Sequence, residues 1–250
     1  MTHKVSMLVQ GQPPLILASQ SHARQAVLTG AGLAFEALPA ELDERAIEAE
    51  SGLTAPGEVA ECLARAKASV VSALHPGHYV IGADQTLALG ARRFSKPADR
   101  TAAADQIATL AGKTHELHAA VAVAFDRQIL FSHVSVARMT MRPLSERAIN
   151  AYLAEAGHAV LGSVGAYQLE GLGVHLFERI EGDYFTILGM PLLPLLAFLR
   201  DRNVLRFLDG MNANTGTDRL DRHGKIDHRE DVRGGRRSGL RRRRHGASSL

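Results

Sequence analysis

A chain of 250 residues, 46% hydrophobic and 22% charged, suffices for one ordinary globular domain or two small lobes, and it excludes a fibrous, collagenous or wholly disordered protein. The formal net charge of +3, with a pI near 9.2, suggests a polyanionic partner until the charge is located. Residues 210–250 hold 11 Lys and Arg against 5 Asp and Glu, which leaves the preceding body at −3 and argues against nucleic acid as a partner of the folded part.

Cys62 is the single cysteine; it rules out an internal disulfide framework, fits a reducing compartment and reads as a core residue. The opening MTHKVSMLVQGQPP has neither the apolar stretch nor the small-residue cleavage site of a signal peptide, and no apolar run is long enough for a bilayer. A soluble, cytoplasmic protein without a membrane partner is expected.

In chain order, residues 1–13 read as an N-terminal extension, 14–207 as one domain of alternating strands and helices, and 208–250 as a disordered Arg-rich tail. The apolar run Leu15–Ala18 predicts a buried strand, and a helix follows over 21–29, closed by Gly30 and Gly32. A helical period in Val59, Leu63, Ala66 and Val70 comes next, then a buried strand Tyr79–Asp84 that ends on its carboxylate. Another helix is expected over 101–110. Two β-rich runs, 117–125 and 129–141, flank Asp126-Arg127 as an antiparallel hairpin. Ser145 caps a helix that stops at Gly157; a Gly-rich segment 162–173, a strand 174–180 and a helix 191–202 complete the domain. The pattern predicts an α/β fold with a mixed sheet flanked by helices.

The tail, ending RRSGLRRRRHGASSL, has too few large apolar residues to offset the entropy of ordering. It reads as an extension rather than a nucleic-acid arm, because no aromatics interleave its arginines.

Several residues could carry chemistry. Ser19, Ser21 and Arg24 stand where a buried strand turns into a helix, and a helix N-terminus with an adjacent Arg suits a phosphate group. The glycines and Lys-Ser/Thr pair of a Walker loop are absent. Asp84 at a strand end is either a carboxylate that holds Mg²⁺ or activates water, or a simple cap, and Gly82-Ala83 leave room for a ligand. Lys67, at the edge of a helix's apolar stripe, either snorkels to water or reaches into a cleft. Lys96 precedes Pro97 in a loop, and Glu44 supplies a second carboxylate. Two lysines, an Arg and paired carboxylates suit a triphosphate with its metal. His115 and His118 lack zinc-protease spacing and, three apart in a strand, face opposite sides.

Together, Leu17-Ala18-Ser19-x-Ser21-x-x-Arg24, Ala66-Lys67-Ala68, Gly82-Ala83-Asp84, Ser95-Lys96-Pro97, Gly182-Asp183-Tyr184 and Gly189-Met190-Pro191-Leu192 resemble the Maf family of nucleoside triphosphate pyrophosphatases. The resemblance runs from about Pro14 to Asn203. It implies a two-lobed, mixed-sheet fold related to the inosine triphosphate pyrophosphatases. It also implies hydrolysis of a nucleoside triphosphate to monophosphate and pyrophosphate with a divalent cation, Mg²⁺ or Mn²⁺. By position, Asp84 is the implied proton acceptor; Ser19, Ser21, Arg24, Lys67 and Lys96 the phosphate ligands; Glu44 and Asp84 the metal ligands.

Gln85 and Glu170, together with Leu176–Gly182, look like the branch of the family that acts on 7-methyl-GTP rather than on dTTP and UTP. A carboxylate at 170 can accept hydrogen bonds from the N1 and N2 edge of guanine, which a pyrimidine lacks. The chain departs from the family pattern at His22, Ala23 and Ser163, where Pro, Arg or an aromatic, and Lys are usual. An alternative of another class therefore stays open: a non-catalytic regulator of cell division that binds nucleotide or nucleic acid. The sequence leaves open whether the chain forms a homodimer.

Overall fold

The computed structural model describes residues 9–11 and 15–207. The remaining parts of the expected N-terminal extension and Arg-rich tail lie outside the described residues. In chain order the elements are β1 (Val9–Gly11), β2 (Leu15–Leu17), α1 (His22–Gly30), β3 (Phe35–Ala37), α2 (Glu44–Ser51), α3 (Pro56–Leu74), β4 (Tyr79–Leu89), β5 (Arg92–Phe94) and α4 (Arg100–Leu110). There follow β6 (Thr114–Phe125), β7 (Gln128–Met141), α5 (Glu146–Ala156), three 3₁₀ turns between Gly157 and Leu176, β8 (Phe177–Glu181), α6 (Tyr184–Ile187), α7 (Leu192–Asp201) and β9 (Leu205–Phe207).

Seven strands form one mixed sheet in the order β3-β2-β4-β6-β7-β8, with β5 also paired to β4. The β2 strand runs parallel to β3 and β4; the other pairings in this sheet are antiparallel. The expected mixed α/β architecture is therefore found. Asp126 and Arg127, both at positive φ, make the two-residue turn that joins β6 to β7, as the hairpin reading required. Part of the expected N-terminal extension is a strand, since β1 pairs with β9.

One face of the sheet is covered by α3. Its Ala60, Ala64 and Ala68 meet Ala120, Ala122 and Ala124 of β6, and small residues on both sides let helix and sheet approach closely. A Cβ at Gly82 would lie 2.1 Å from the Ala64 carbonyl oxygen and 2.7 Å from the Ala68 nitrogen. The room left by Gly82 is thus taken by a helix, not by a ligand as the sequence suggested. The opposite face holds two apolar clusters. One joins Ile81, Ala83, Val121 and Val123 to α1 and α7; the other joins Leu87, Leu117 and Met139 to α4 and α5.

Four further expectations are corrected. The buried stripe of α3 is Val59, Ala60, Leu63, Ala64, Lys67, Ala68 and Val71, so Val70 is exposed and Lys67 lies inside the stripe rather than at its edge. The strand carrying Asp84 continues to Leu89, which puts the carboxylate in mid-strand. Residues 172–176 form a 3₁₀ turn before β8, where a strand from 174 was expected. Cys62 is half-buried rather than core, and the α2 helix had no counterpart in the sequence reading.

Candidate active site

The site follows from an interruption in the sheet. On one side of β4, β2 pairs only as far as Ile81, and β5 begins to pair at Leu87. Between Gly82 and Thr86 that edge has no strand partner, and a cavity of about 880 Å³ opens there. Alternation along β4 sends consecutive side chains to opposite faces. Asp84 points toward α3, where Lys67 meets it, while Gln85 points toward α6, donating its amide to the carbonyls of Thr186 and Ile187 at 3.0 and 3.1 Å.

Lys67 Nζ lies 2.6 Å from Asp84 Oδ1 and 2.9 Å from Glu44 Oε1. The Lys67 and Asp84 side chains are only 10% and 11% exposed, whereas that of Glu44, at the start of α2, is half-exposed. Burial holds the Asp84 carboxyl above the usual aspartate range, opposed by the positive charges of Lys67 and Arg24. A carboxylate raised in this way is a better proton acceptor than one in water.

Arg24 closes the edge that β2 leaves open. Its Nη1 donates to the Ala83 carbonyl at 2.8 Å and to Ser19 Oγ at 3.3 Å, and its Nε donates to the Gly189 carbonyl at 3.0 Å. Gly189 sits at φ 79°, and a Cβ there would stand 3.3 Å from Arg24 Nε, so this turn needs glycine twice over. Every one of these acceptors is neutral, so the guanidinium charge is not cancelled by them. Burial lowers the Arg24 pKa against the influence of Asp84 and Glu44, yet a guanidinium stays protonated.

Ser21 caps α1, its hydroxyl accepting from the Arg24 amide at 3.4 Å. Ser19 Oγ accepts from the Ser21 amide at 3.2 Å and supports Arg24 from behind. The cavity is lined by Ser21, Arg24, Glu44, Lys67, Asp84, Gln85, Lys96 and Glu170; Ser19 is the sequence candidate outside its lining. Lys96 and Glu170 are exposed on it. Ala23, Ser163 and the cavity-lining Arg45, Arg93 and Tyr167 complete this picture.

Sequence reasoning missed Arg45, Arg93 and Tyr167. Arg93 is paired with Glu48 at 2.9 Å in a strand too short to read. Tyr167 is buried, with its hydroxyl 2.7 Å from Nε2 of His115; burial brings that imidazole down to about 4, so it is neutral near pH 7. A histidine with its tyrosine partner 52 residues away leaves no local signal.

The family model for Maf-like proteins matches residues 14–202. The chain belongs to the Maf family. Among curated relatives it is 63% identical over 195 residues to a nucleoside triphosphate pyrophosphatase of Rhodopseudomonas palustris, covering 78% of this chain and 96% of that one. A protein of the same name from Bradyrhizobium diazoefficiens is 63% identical over 198 residues, 79% and 98% of the two chains. A Rhizobium etli relative named 7-methyl-GTP pyrophosphatase is 54% identical over 191 residues, covering 76% and 96%. No described helix of this Maf chain is long and apolar enough to cross a membrane.

Proposed function

We propose that this Maf protein is a cytoplasmic nucleoside triphosphate pyrophosphatase that cleaves between the α- and β-phosphates. The observation that carries the reading is Lys67, buried at the open edge of β4 and bridging Asp84 to Glu44, beside Arg24, whose guanidinium donates only to neutral acceptors. The relatives named nucleoside triphosphate pyrophosphatase support it.

In this reading, Arg24, Lys67, Lys96 and the amides and hydroxyl at the start of α1 hold the phosphate oxygens. Asp84 takes a proton from a water whose oxygen bonds to the α-phosphorus in line with the anhydride. The bond to the bridging oxygen breaks, and pyrophosphate leaves with the electron pair. Fixed cations stabilise the charge that gathers on the leaving oxygens.

The donor set also fits a divalent cation. Asp84 and Glu44 are hard oxygen donors close enough to share one ammonium, and a small hard cation is commonly held by one or two carboxylates plus substrate phosphates. Such an ion, Mg²⁺ or Mn²⁺, would neutralise phosphate charge and acidify bound water. Among the described residues no group of three His, Cys, Asp or Glu is placed to hold a metal by itself, which accords with an ion that arrives with the nucleotide.

The reading extends to base and fold. Glu170, exposed on the cavity wall, offers an acceptor to the guanine edge, and the Rhizobium relative's name favours 7-methyl-GTP within the purines. The two apolar clusters that flank Gln85 along β4 are the basis for a two-lobed fold of the inosine triphosphate pyrophosphatase kind.

The test is a panel of nucleoside triphosphates, 7-methyl-GTP included, with Mg²⁺ or Mn²⁺ and with chelator, scored by pyrophosphate release. Release from at least one substrate that needs the cation supports the reading. No release from any, or equal release by Asp84→Asn, refutes it.

A further inference from the structure

Two segments line the cavity from outside the Asp84 neighbourhood: Ser95-Lys96 after β5, and the run from Gly162 to Glu170 among the 3₁₀ turns. The first is irregular and the second is a series of short 3₁₀ turns, so neither is held in place by a β-ladder or an α-helix. One side chain joins them. Gln106, on α4, donates through Nε2 to the Ser95 carbonyl at 2.8 Å and accepts through Oε1 from the Gly165 amide at 3.1 Å.

The amide of Gln106 is matched to the two ends: its donor meets a carbonyl and its acceptor meets an N–H, so one side chain satisfies two loop backbone groups. Gln106 is not part of the cavity lining. Its neighbours Ala103, Ile107 and Leu110 are buried in the sheet-facing cluster, so α4 is a rigid base for this link. On the far side, Gly165 and Ala166 hold left-handed backbone at φ 81° and 59°, and Tyr152 Oη donates to the Ala166 carbonyl at 3.3 Å. The Gly165 contact therefore acts on a turn whose shape decides where Tyr167 to Glu170 lie.

We propose that Gln106 is a positioning residue for the pyrophosphatase site, setting Lys96 against the phosphates and the 162–170 wall against the nucleoside at the same time. The inference rests on the function proposed above but concerns binding, so it can be tested without turnover. Gln106 touches no substrate; it acts through Lys96 on one arm and through Gly165 on the other.

The two arms separate experimentally. Inorganic pyrophosphate offers only phosphoryl oxygens, and GMP adds a base and ribose; both are titrated calorimetrically into wild type and variants. Gln106→Met, which loses both contacts at similar length, is expected to weaken pyrophosphate about fivefold, the order expected for one polar contact. In a Lys96→Met background the same substitution should then cost pyrophosphate binding nothing further. Gln106→Glu still accepts from Gly165 and is expected to bind GMP more tightly than Gln106→Met does. Hydrogen exchange over 162–170 should quicken in Gln106→Met and stay near wild type in Gln106→Glu.

Unchanged pyrophosphate affinity in Gln106→Met overturns the proposal. So does an equal loss with and without Lys96, which would mark a general loss of packing. Wild type that binds both ligands and shows these differences yet hydrolyses no triphosphate would refute the proposed function and leave this inference standing. Hydrolysis with no difference among the variants would do the reverse.

Discussion

Lys67 reaches Asp84 at 2.6 Å because α3 and β4 pack almost backbone to backbone, Gly82 having no side chain to hold them apart. A buried ion pair of this kind opposes a desolvation cost on both partners. Its energetic meaning depends on which partner is removed, because Lys67 has a second carboxylate partner in Glu44 whereas Asp84 has no other cation as close.

Asp84→Asn keeps the shape of the site and removes the proposed proton acceptor. Pyrophosphate release should drop at least about a thousandfold, in the range expected for losing a principal catalytic group, with thermal stability close to wild type because Glu44 still pairs with Lys67. In wild type, the raised Asp84 pKa means that activity falls as pH drops through that raised value. A variant that keeps more than a few per cent of activity, in an assay alongside a thermal melt, would remove Asp84 from the chemistry.

Lys67→Met leaves the Asp84 carboxylate buried without its closest cation. Near neutral pH the loss should be about 3 kcal/mol. Since Asp84 already sits above its ordinary value, and higher still without Lys67, the deficit is full above the new pKa and shrinks as pH falls through it. Urea melts across that range test the sign: a deficit constant with pH would show that packing, not charge, is what Lys67 supplies.

His115 is fully buried, and its Nδ1 has no hydrogen-bond partner. With the folded value near 4 against about 6.5 unfolded, the neutral ring favours the fold above pH 6.5, and that advantage is lost as pH falls toward 4. The full difference is about 3 kcal/mol. His115→Gln, whose amide can still hydrogen-bond to the Tyr167 hydroxyl, should show a shallower fall in stability over this window. Equal slopes in denaturant melts at several pH values would refute it.

Gly82→Ala should be among the most damaging single-methyl changes in the chain. The added Cβ meets main-chain atoms of α3, which cannot swing aside as a side-chain end can. A cost of about 3 kcal/mol or more is expected, with loss of activity as Lys67 is carried away from Asp84. A melting temperature within a few degrees of wild type would show that α3 can shift without harm.

Much of this protein was present in the sequence. The β6–β7 hairpin, the caps at Ser21 and Ser145, and the mixed α/β character follow from local chemistry, because turn residues and hydrophobic period act over a few positions. The charge reading was equally local: the basic excess belongs to residues 210–250, and the body is mildly acidic. The candidate site residues were legible as types, and Ser21, Arg24, Glu44, Lys67, Asp84, Gln85, Lys96 and Glu170 line one cavity, with Ser19 beside it.

Tertiary structure decided what the residues do for one another. Lys67 stood at the margin of a periodic stripe, and only the packing of α3 on Gly82 sends it inward between two carboxylates. Asp84 looked like a strand end because the apolar run stops there; β4 continues because β6 pairs with it to Ala88, while the opposite edge, released by β2 and not yet taken up by β5, opens the cavity. Arg24 reads as a phosphate ligand from its place after Ser21, yet it also clamps carbonyls 59 and 165 residues away. Contacts at such separations depend on which strands adjoin and where their pairing stops. No sequence period records that, so the sequence determined the parts and the sheet determined their meeting.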